Sequence, residues 1–229
     1  MKAYKGFDKD LKCRGFQYEV GKEYETESAK LCDTGFHACE NPLNTLNYYK
    51  PGDSRYCEVE LDATEERGDD SKRVGKHIKI ETEIGLKGLI EAGVKFVFDK
   101  CEGATEQAAS GWHGNAAASG EYGNAATSGE YGNAATSGRS GNAAASGDNG
   151  NAAASGWSGN ASTKNGVAAA IGFNGKAKGD DLGSYIVLAD WRFEKGEWSL
   201  HGVEARRVDG ETIKAGVWYT MRDGKVVEA

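Results

Sequence analysis

Nowhere in its 229 residues does the sequence hold an apolar run long enough to cross a membrane, and no charged-then-apolar leader follows Met1. The expectation is a soluble, cytoplasmic protein with no membrane partner. Basic runs and Lys/Arg stripes interleaved with aromatics are also missing. Lys and Arg number 28 against 35 Asp and Glu, a formal net charge of −7, which favours solubility and argues against direct nucleic-acid binding. Cysteine is scarce: Cys13, Cys32, Cys39, Cys57 and Cys101 all lie outside the central third, where a disulfide-stapled extracellular coil would need them, so they read as reduced thiols. No Ser-His-Asp set, P-loop or dinucleotide fingerprint is present, and the spacing of Cys32, His37 and Cys39 matches no common zinc pattern. Neither a metal nor a cofactor is expected.

The central third holds one nine-residue unit, G-N-A-A-[AT]-S-G-x-x, copied with little drift from Gly111 to Gly183. Its period is marked by Gly114-Asn115, Gly123-Asn124, Gly132-Asn133, Gly141-Asn142, Gly150-Asn151 and Gly159-Asn160. Such a unit is too short to bury anything alone and gains stability by stacking, which is the signature of a solenoid. Nine residues allow one short strand and one tight turn, so two units make one coil of a flattened roll. Alternation puts Ala116 and Ala118 on one face and Asn115, Ala117 and Ser119 on the other. The first set is placed inside, because the Asn position becomes Lys178 in the diverged coils and a lysine is costly to bury unpaired. The second unit glycine is followed at the same spacing by Asn165, Asn174 and Gly183, which suggests a left-handed turn position, where Asn best replaces Gly.

The flanks read as caps. The expected fold is mainly β: a parallel β-solenoid over residues 102–183, an α+β domain over 1–101 and a small β cap over 184–229. In the first domain, Ala3-Tyr4 reads as a short strand with a turn at Gly6, Phe16–Val20 and Glu23–Glu25 as a hairpin, and Asn41-Pro42 as the start of a short helix. Tyr56–Leu61 and His77–Glu81 read as strands around a polar loop from Thr64 to Lys76. Leu86, Leu89, Ile90, Gly93, Val94 and Val97 fall at helical spacing, in a helix that ends before Glu102. In the cap, Tyr185–Trp191 is the most apolar strand, and Asp223-Gly224 is a hairpin turn.

A calcium-binding roll would carry Asp in every unit; here that place is Asn, and the variable pairs Glu121-Tyr122, Glu130-Tyr131, Arg139-Ser140, Asp148-Asn149 and Trp157-Ser158 do not repeat a carboxylate, so a calcium roll is not expected. Thr127, Thr136 and Thr163 form no unbroken ladder of the kind that orders ice. The variable turn positions do carry Trp112, Glu121, Tyr122, Glu130, Tyr131 and Trp157, and exposed aromatics on a rigid scaffold are the residues found at interface anchors. These six are the candidate binding residues.

Three stretches carry a resemblance over the whole length: Lys2-Ala3-Tyr4-Lys5-Gly6-Phe7 with Cys13–Glu19, then Gly35–Pro42, then Val208–Ala215 with Trp218-Tyr219. They resemble a family of phage and prophage proteins that hold Gly/Ala/Ser repeats between similar ends. The resemblance implies a non-enzymatic binder that blocks a host protein of antiviral immunity, such as a CRISPR effector. Tyr4-Lys5-Gly6 and Gly35-Phe36-His37-Ala38 are also similar to the pieces that line the nicotinamide pocket of the ADP-ribosyltransferase fold. That similarity implies an alternative, an enzymatic pocket at Tyr4, Phe36 and His37, although Glu58 and Glu60 stand without the pattern that surrounds the fold's late catalytic Glu.

Overall fold

The computed structural model describes residues 1–67, 71–100 and 106–229. The chain divides into two compact units, Met1–Ala92 and Gly93–Ala229, joined within helix α1 (Gly85–Lys100). Leu89, Ile90, Val94 and Val97 are buried along one stripe of that helix, as the spacing requires. Cys101 and the helix end expected before Glu102 lie outside the described residues.

The first unit is an antiparallel sheet that curls back on itself. Its strands are β1 (Lys2–Asp8), β2 (Lys12–Cys13), β3 (Phe16–Gln17), β4 (Glu23–Glu25), β5 (Phe36–Cys39), β6 (Ser54–Arg67) and β7 (Lys72–Glu83). The order is β4-β7-β5-β1-β6, and β6 also pairs with β7. β1 is bonded along β6 from Lys2↔Glu60 to Asp8↔Ser54, yet meets β5 at one pair, Tyr4↔Cys39. The ring is therefore closed on three sides and nearly split on the fourth. Ala3, Phe7, Tyr18, Val59, Leu61, Ile78 and Ile80 fill it.

Several local expectations change. Gly6 is not a turn but sits mid-strand, where a Cβ would collide with the Tyr49 ring. The hairpin expected of Phe16–Val20 with Glu23–Glu25 does not form: β3 pairs with β2, and β4 adds to β7 at Glu23↔Lys79. The polar stretch from Thr64 to Lys76 is not simply a loop, because β6 runs to Arg67 and β7 begins at Lys72. The short helix is a 3₁₀ turn, Pro42–Asn47, and Asn41 Oδ1 accepts from the N–H of Leu43 at 3.0 Å, as an N-cap should. Among the described residues no disulfide is present.

The second unit contains a β-solenoid of about four turns over residues 108–188. One sheet stacks β8 (Glu106–Ala109), β10 (Asn124–Thr127), β12 (Asn142–Asp148), β14 (Asn160–Asn165) and β16 (Lys176–Gly179). The other stacks β9 (Asn115–Ala118), β11 (Asn133–Thr136), β13 (Asn151–Ala154), β15 (Val167–Ala170) and β17 (Tyr185–Glu194). All these neighbours are parallel, and partners such as Asn124↔Asn142 are 18 residues apart, so a coil is two nonapeptides.

The interior face is the expected one. Ala116, Ala118, Ala125, Ala134, Ala143, Ala145, Ala152 and Ala154 form a core that is built almost entirely of methyl groups. At about 25 cal/mol per Å² such a core yields little per residue, so polar ladders share the load. Asn142 Nδ2 donates to Asn124 Oδ1 at 2.9 Å, and Asn160 Nδ2 to Asn142 Oδ1 at 2.8 Å. On the other sheet the amide ladder ends where Asn151 Oδ1 accepts from Val167 N at 3.1 Å. These stacked amides account for the Asn in every unit. Lys176, not Lys178, replaces the Asn, while Lys178 pairs with Ser162; both positions lie on the outer face, so the argument survives the shift. Thr127, Thr136 and Thr163 are buried at interior positions, which removes them from any ice-ordering surface.

The glycines are needed for closeness rather than for handedness. The left-handed residues are His113, Tyr131, Ser140, Asn149, Ser158 and Asn174, the second variable residue of most units, Tyr122 excepted. Each sits before the glycine whose N–H closes the turn, as in Gly132 N to Gly129 O at 3.2 Å. The register expected through Asn165, Asn174 and Gly183 does not hold: one coil shortens to sixteen residues, so Gly172 takes the place after Gly156, while Asn174 and Gly183 are left-handed at the second variable position instead.

At the far end, β18 (Glu197–Arg207) runs antiparallel to β17, and β19 (Tyr219–Arg222) pairs with β16 and with β20 (Lys225–Glu228). Ile186, Leu188, Val208, Ile213 and Tyr219 plug the alanine core. Asp209 Oδ1 accepts from the N–H groups of Ile213, Glu211 and Thr212, which hold its carboxyl below the usual range and fix the loop into β19. The antiparallel hairpins thus close the parallel stack at one end.

Candidate functional site

The near-split between β1 and β5 opens into a cleft of about 690 Å³ in the first unit. Strand alternation decides what faces it. On β1, Ala3 and Phe7 point into the core, and so does Lys5, which is 5% exposed. The Lys5 Nζ donates to the His37 carbonyl at 2.8 Å and lies 3.7 Å from Cys13 Sγ. The rings of Phe7 and Tyr18 stand 5.6 and 5.7 Å from the same nitrogen. Burial holds the Lys5 ammonium below its ordinary proton affinity, more than the nearby thiols restore it.

The walls are aromatic. Tyr18 is the hub, with ring centroids at 4.8 Å from Phe16, 5.1 Å from Tyr24 and 6.3 Å from Phe36. On the opposite side the Tyr49 hydroxyl donates to Cys13 Sγ at 2.9 Å, while the Tyr56 hydroxyl donates to the Tyr49 carbonyl at 2.7 Å. Burial pushes the Tyr18 and Tyr49 hydroxyls up. Arg14 and Lys72 line the rim, with Glu25 and Asp33 as the carboxylates among the lining residues. Lys72 Nζ lies 4.5 Å from the Tyr48 ring centre.

All three residues of the alternative pocket, Tyr4, Phe36 and His37, line this cleft. The His37 ring is held by main chain: its Nε2 accepts from the N–H of Cys32 at 2.9 Å. Burial, then Lys5 and Lys72, keeps the imidazole neutral. Glu58 does not line the cleft, and its carboxylate pairs with Lys2 at 2.8 Å. Lys5 lay within the Tyr4-Lys5-Gly6 segment without being singled out, and Cys13, Tyr18 and Tyr49 were given no place in the pocket they line. The sole signal for the first was a lysine at the core parity of an otherwise apolar strand.

The family described as a domain of unknown function (DUF7666) matches residues 1–92. The match spans the same residues as the first compact unit, and the solenoid lies beyond it. No curated protein and no solved structure matches the chain.

In the second unit the six candidate binding residues fall on two edges, because successive turns of a two-unit coil lie at opposite ends of the strands. Trp112, Glu130 and Tyr131 share one edge with His113, and the main chain there is stacked by His113 N to Glu130 O at 3.0 Å. Tyr131 is half-buried, its ring stacked on His113 at 5.2 Å. Glu121, Tyr122 and Trp157 lie along the other edge with Arg139 and Phe173, stacked through Ser140 N to Trp157 O and Ser158 N to Phe173 O, each 2.7 Å. That second edge is extended by the β17–β18 hairpin. Phe173 lies 3.9 Å from Trp198, which lies 5.3 Å from Phe193, and Trp157 is 4.8 Å from Phe173. Tyr122 is 71% and Trp157 47% exposed.

Proposed function

We propose that the chain is a non-enzymatic binding protein of phage type, which presents the Tyr122–Trp157 edge of its solenoid to a host protein. The reading rests on one observation: the exposed aromatics Tyr122 and Trp157 stand on one edge, with the Arg139 turn between them, and Trp157 continues into a cluster with Phe173, Trp198 and Phe193. Each turn is fixed by main-chain bonds to the next coil, so little conformational freedom is lost on binding. Aromatic anchors of this kind carry about 2 kcal/mol or more apiece in protein interfaces. The phage resemblance supplies the partner class, a host component of antiviral immunity such as a CRISPR effector. The test is a pull-down from bacterial lysate, repeated with Tyr122→Ala and Trp157→Ala together. The double change should weaken retention of the specific partner more than about tenfold, while Trp112→Ala on the opposite edge leaves it unchanged. Retention undiminished by the double change would sink the proposal.

A second reading, ADP-ribosyl transfer in the first unit, is favoured by the convergence of Tyr4, Phe36 and His37 on one aromatic cleft. Of the lining carboxylates, Glu25 would have to take the acidic role that Glu58 and Glu60 cannot. Incubation with NAD and lysate should then release nicotinamide, and Glu25→Gln should abolish the release. No nicotinamide from the unaltered protein eliminates this reading.

A further inference from the structure

Among the described residues two charged side chains are buried, Lys5 and Asp190. Asp190 is explained by Arg192, whose Nη2 lies 2.6 Å away. Lys5 has no such explanation. Its neighbours are a carbonyl oxygen, a thiol and two ring faces, and no carboxylate of the described residues pairs with it. A lysine held this way is costly as an ammonium, and relief comes by giving up the proton. Lys5 is also among the residues that line a cleft of about 690 Å³, together with Cys13 and His37, the hydrogen-bond partners of its nitrogen.

We propose that Lys5 is a nucleophilic amine that captures an aromatic aldehyde bearing an anionic group in this cleft, forming an imine. The chemistry of the lining selects the class. Tyr18, Phe36 and Tyr48 offer faces for a ring, and Arg14 and Lys72 at the rim offer cations for a carboxylate or phosphate. The step balances within the site. The amine lone pair attacks the carbonyl carbon, a C–N bond forms, and a proton passes from nitrogen to the carbonyl oxygen. The nitrogen's second proton then passes to the hydroxyl so formed, which departs as water when the C–O bond breaks and leaves the C=N bond. The Cys13 thiol and the Tyr49 hydroxyl hydrogen-bonded to it are the proton carriers beside the amine. No oxidant or metal is needed.

The site is independent of the solenoid edge and of NAD chemistry. It is tested on the unaltered full chain with para-carboxybenzaldehyde and cyanoborohydride at neutral pH, with labelled peptides read by mass spectrometry. A lowered proton affinity leaves more of the amine neutral at a given pH, so Lys5 should be labelled measurably faster than the mean of the other lysines. Benzoate, which fits the ring and the cations but has no carbonyl to trap, should slow labelling at Lys5 alone. Arg14→Gln should do the same without touching the surface lysines. Labelling of Lys5 no faster than the rest, or labelling that benzoate leaves unchanged, overturns the proposal. Neither outcome depends on whether a Lys5 variant folds.

Discussion

Alanine at Gly138 is expected to break the coil stack, whereas alanine at Gly120 is expected to be tolerated. The two glycines occupy the same place in the repeat, and sequence alone cannot tell them apart. A Cβ on Gly138 would fall within the van der Waals radius of the Gly120 carbonyl oxygen in the preceding coil, a backbone atom that cannot swing aside. Gly147 and Gly156 stand in the same relation to Gly129 and Gly138. Gly120 belongs to the first full coil, and among the described residues a Cβ there meets nothing within 4 Å. Overpacking typically costs about 1–3 kcal/mol, and a backbone neighbour that cannot move puts this site at the upper end. Gly138→Ala should therefore lower the chemical-denaturation midpoint of the repeat region sharply, with Gly120→Ala shifting it by less than about 0.5 kcal/mol. Equal effects at the two positions would refute the close-approach account.

The first unit should lose stability steeply above about pH 10.5. Burial pushes the Cys57 thiol from 9.0 up to about 12, and pushes the Tyr18 and Tyr49 hydroxyls up from 10.0. A group whose folded pKa is raised contributes stability that is complete below its unfolded value and is lost as the pH climbs through the folded one. Lys5 works in the opposite direction, because burial lowers it from 10.5: the unfolded chain holds that proton more firmly, so its contribution improves as the pH rises toward 10.5. The opposing terms flatten the profile between about pH 9 and 10.5, and above that the loss is unopposed. Each ionising group steepens the fall by about 1.4 kcal/mol per pH unit. Urea titrations across this range should show the decline, and Cys57→Ala should reduce its slope by about one such increment. An unchanged slope in that variant would count against the assignment to Cys57.

The architecture was legible because the period is strict. Gly/Asn spacing announced coils of two units, and an outward lysine was enough to name the interior face. What spacing could not convey was why each residue recurs. The Asn looked like a mere outward polar residue and proved to be a rung of an amide ladder between coils. The glycine looked like a left-handed turn residue, whereas the left-handed place belongs to Tyr131, Ser140 and their equivalents. Polar strands defeated periodicity as well: β6 and β7 run into the charged stretch from Thr64 to Lys76, whose sequence shows no apolar alternation. The cleft was half visible. Tyr4, Phe36 and His37 were suggested by resemblance, but the contacts that give it chemistry join Lys5 to His37 and Cys13 to Tyr49, across 32 and 36 residues of chain. No local pattern marks partners so far apart.

The coil built from two nonapeptides imposes a parity rule on how such a protein can change length. Inserting one unit would hand every later strand to the opposite sheet, reverse which edge carries Trp157 and Phe173, and present β19 and β17 to the wrong partners. Inserting two would add a single storey about 4.8 Å high and leave both ends seated as before. Growth and loss in this array are therefore confined to even numbers of repeats, and the reach of the aromatic edge is set in discrete steps rather than continuously.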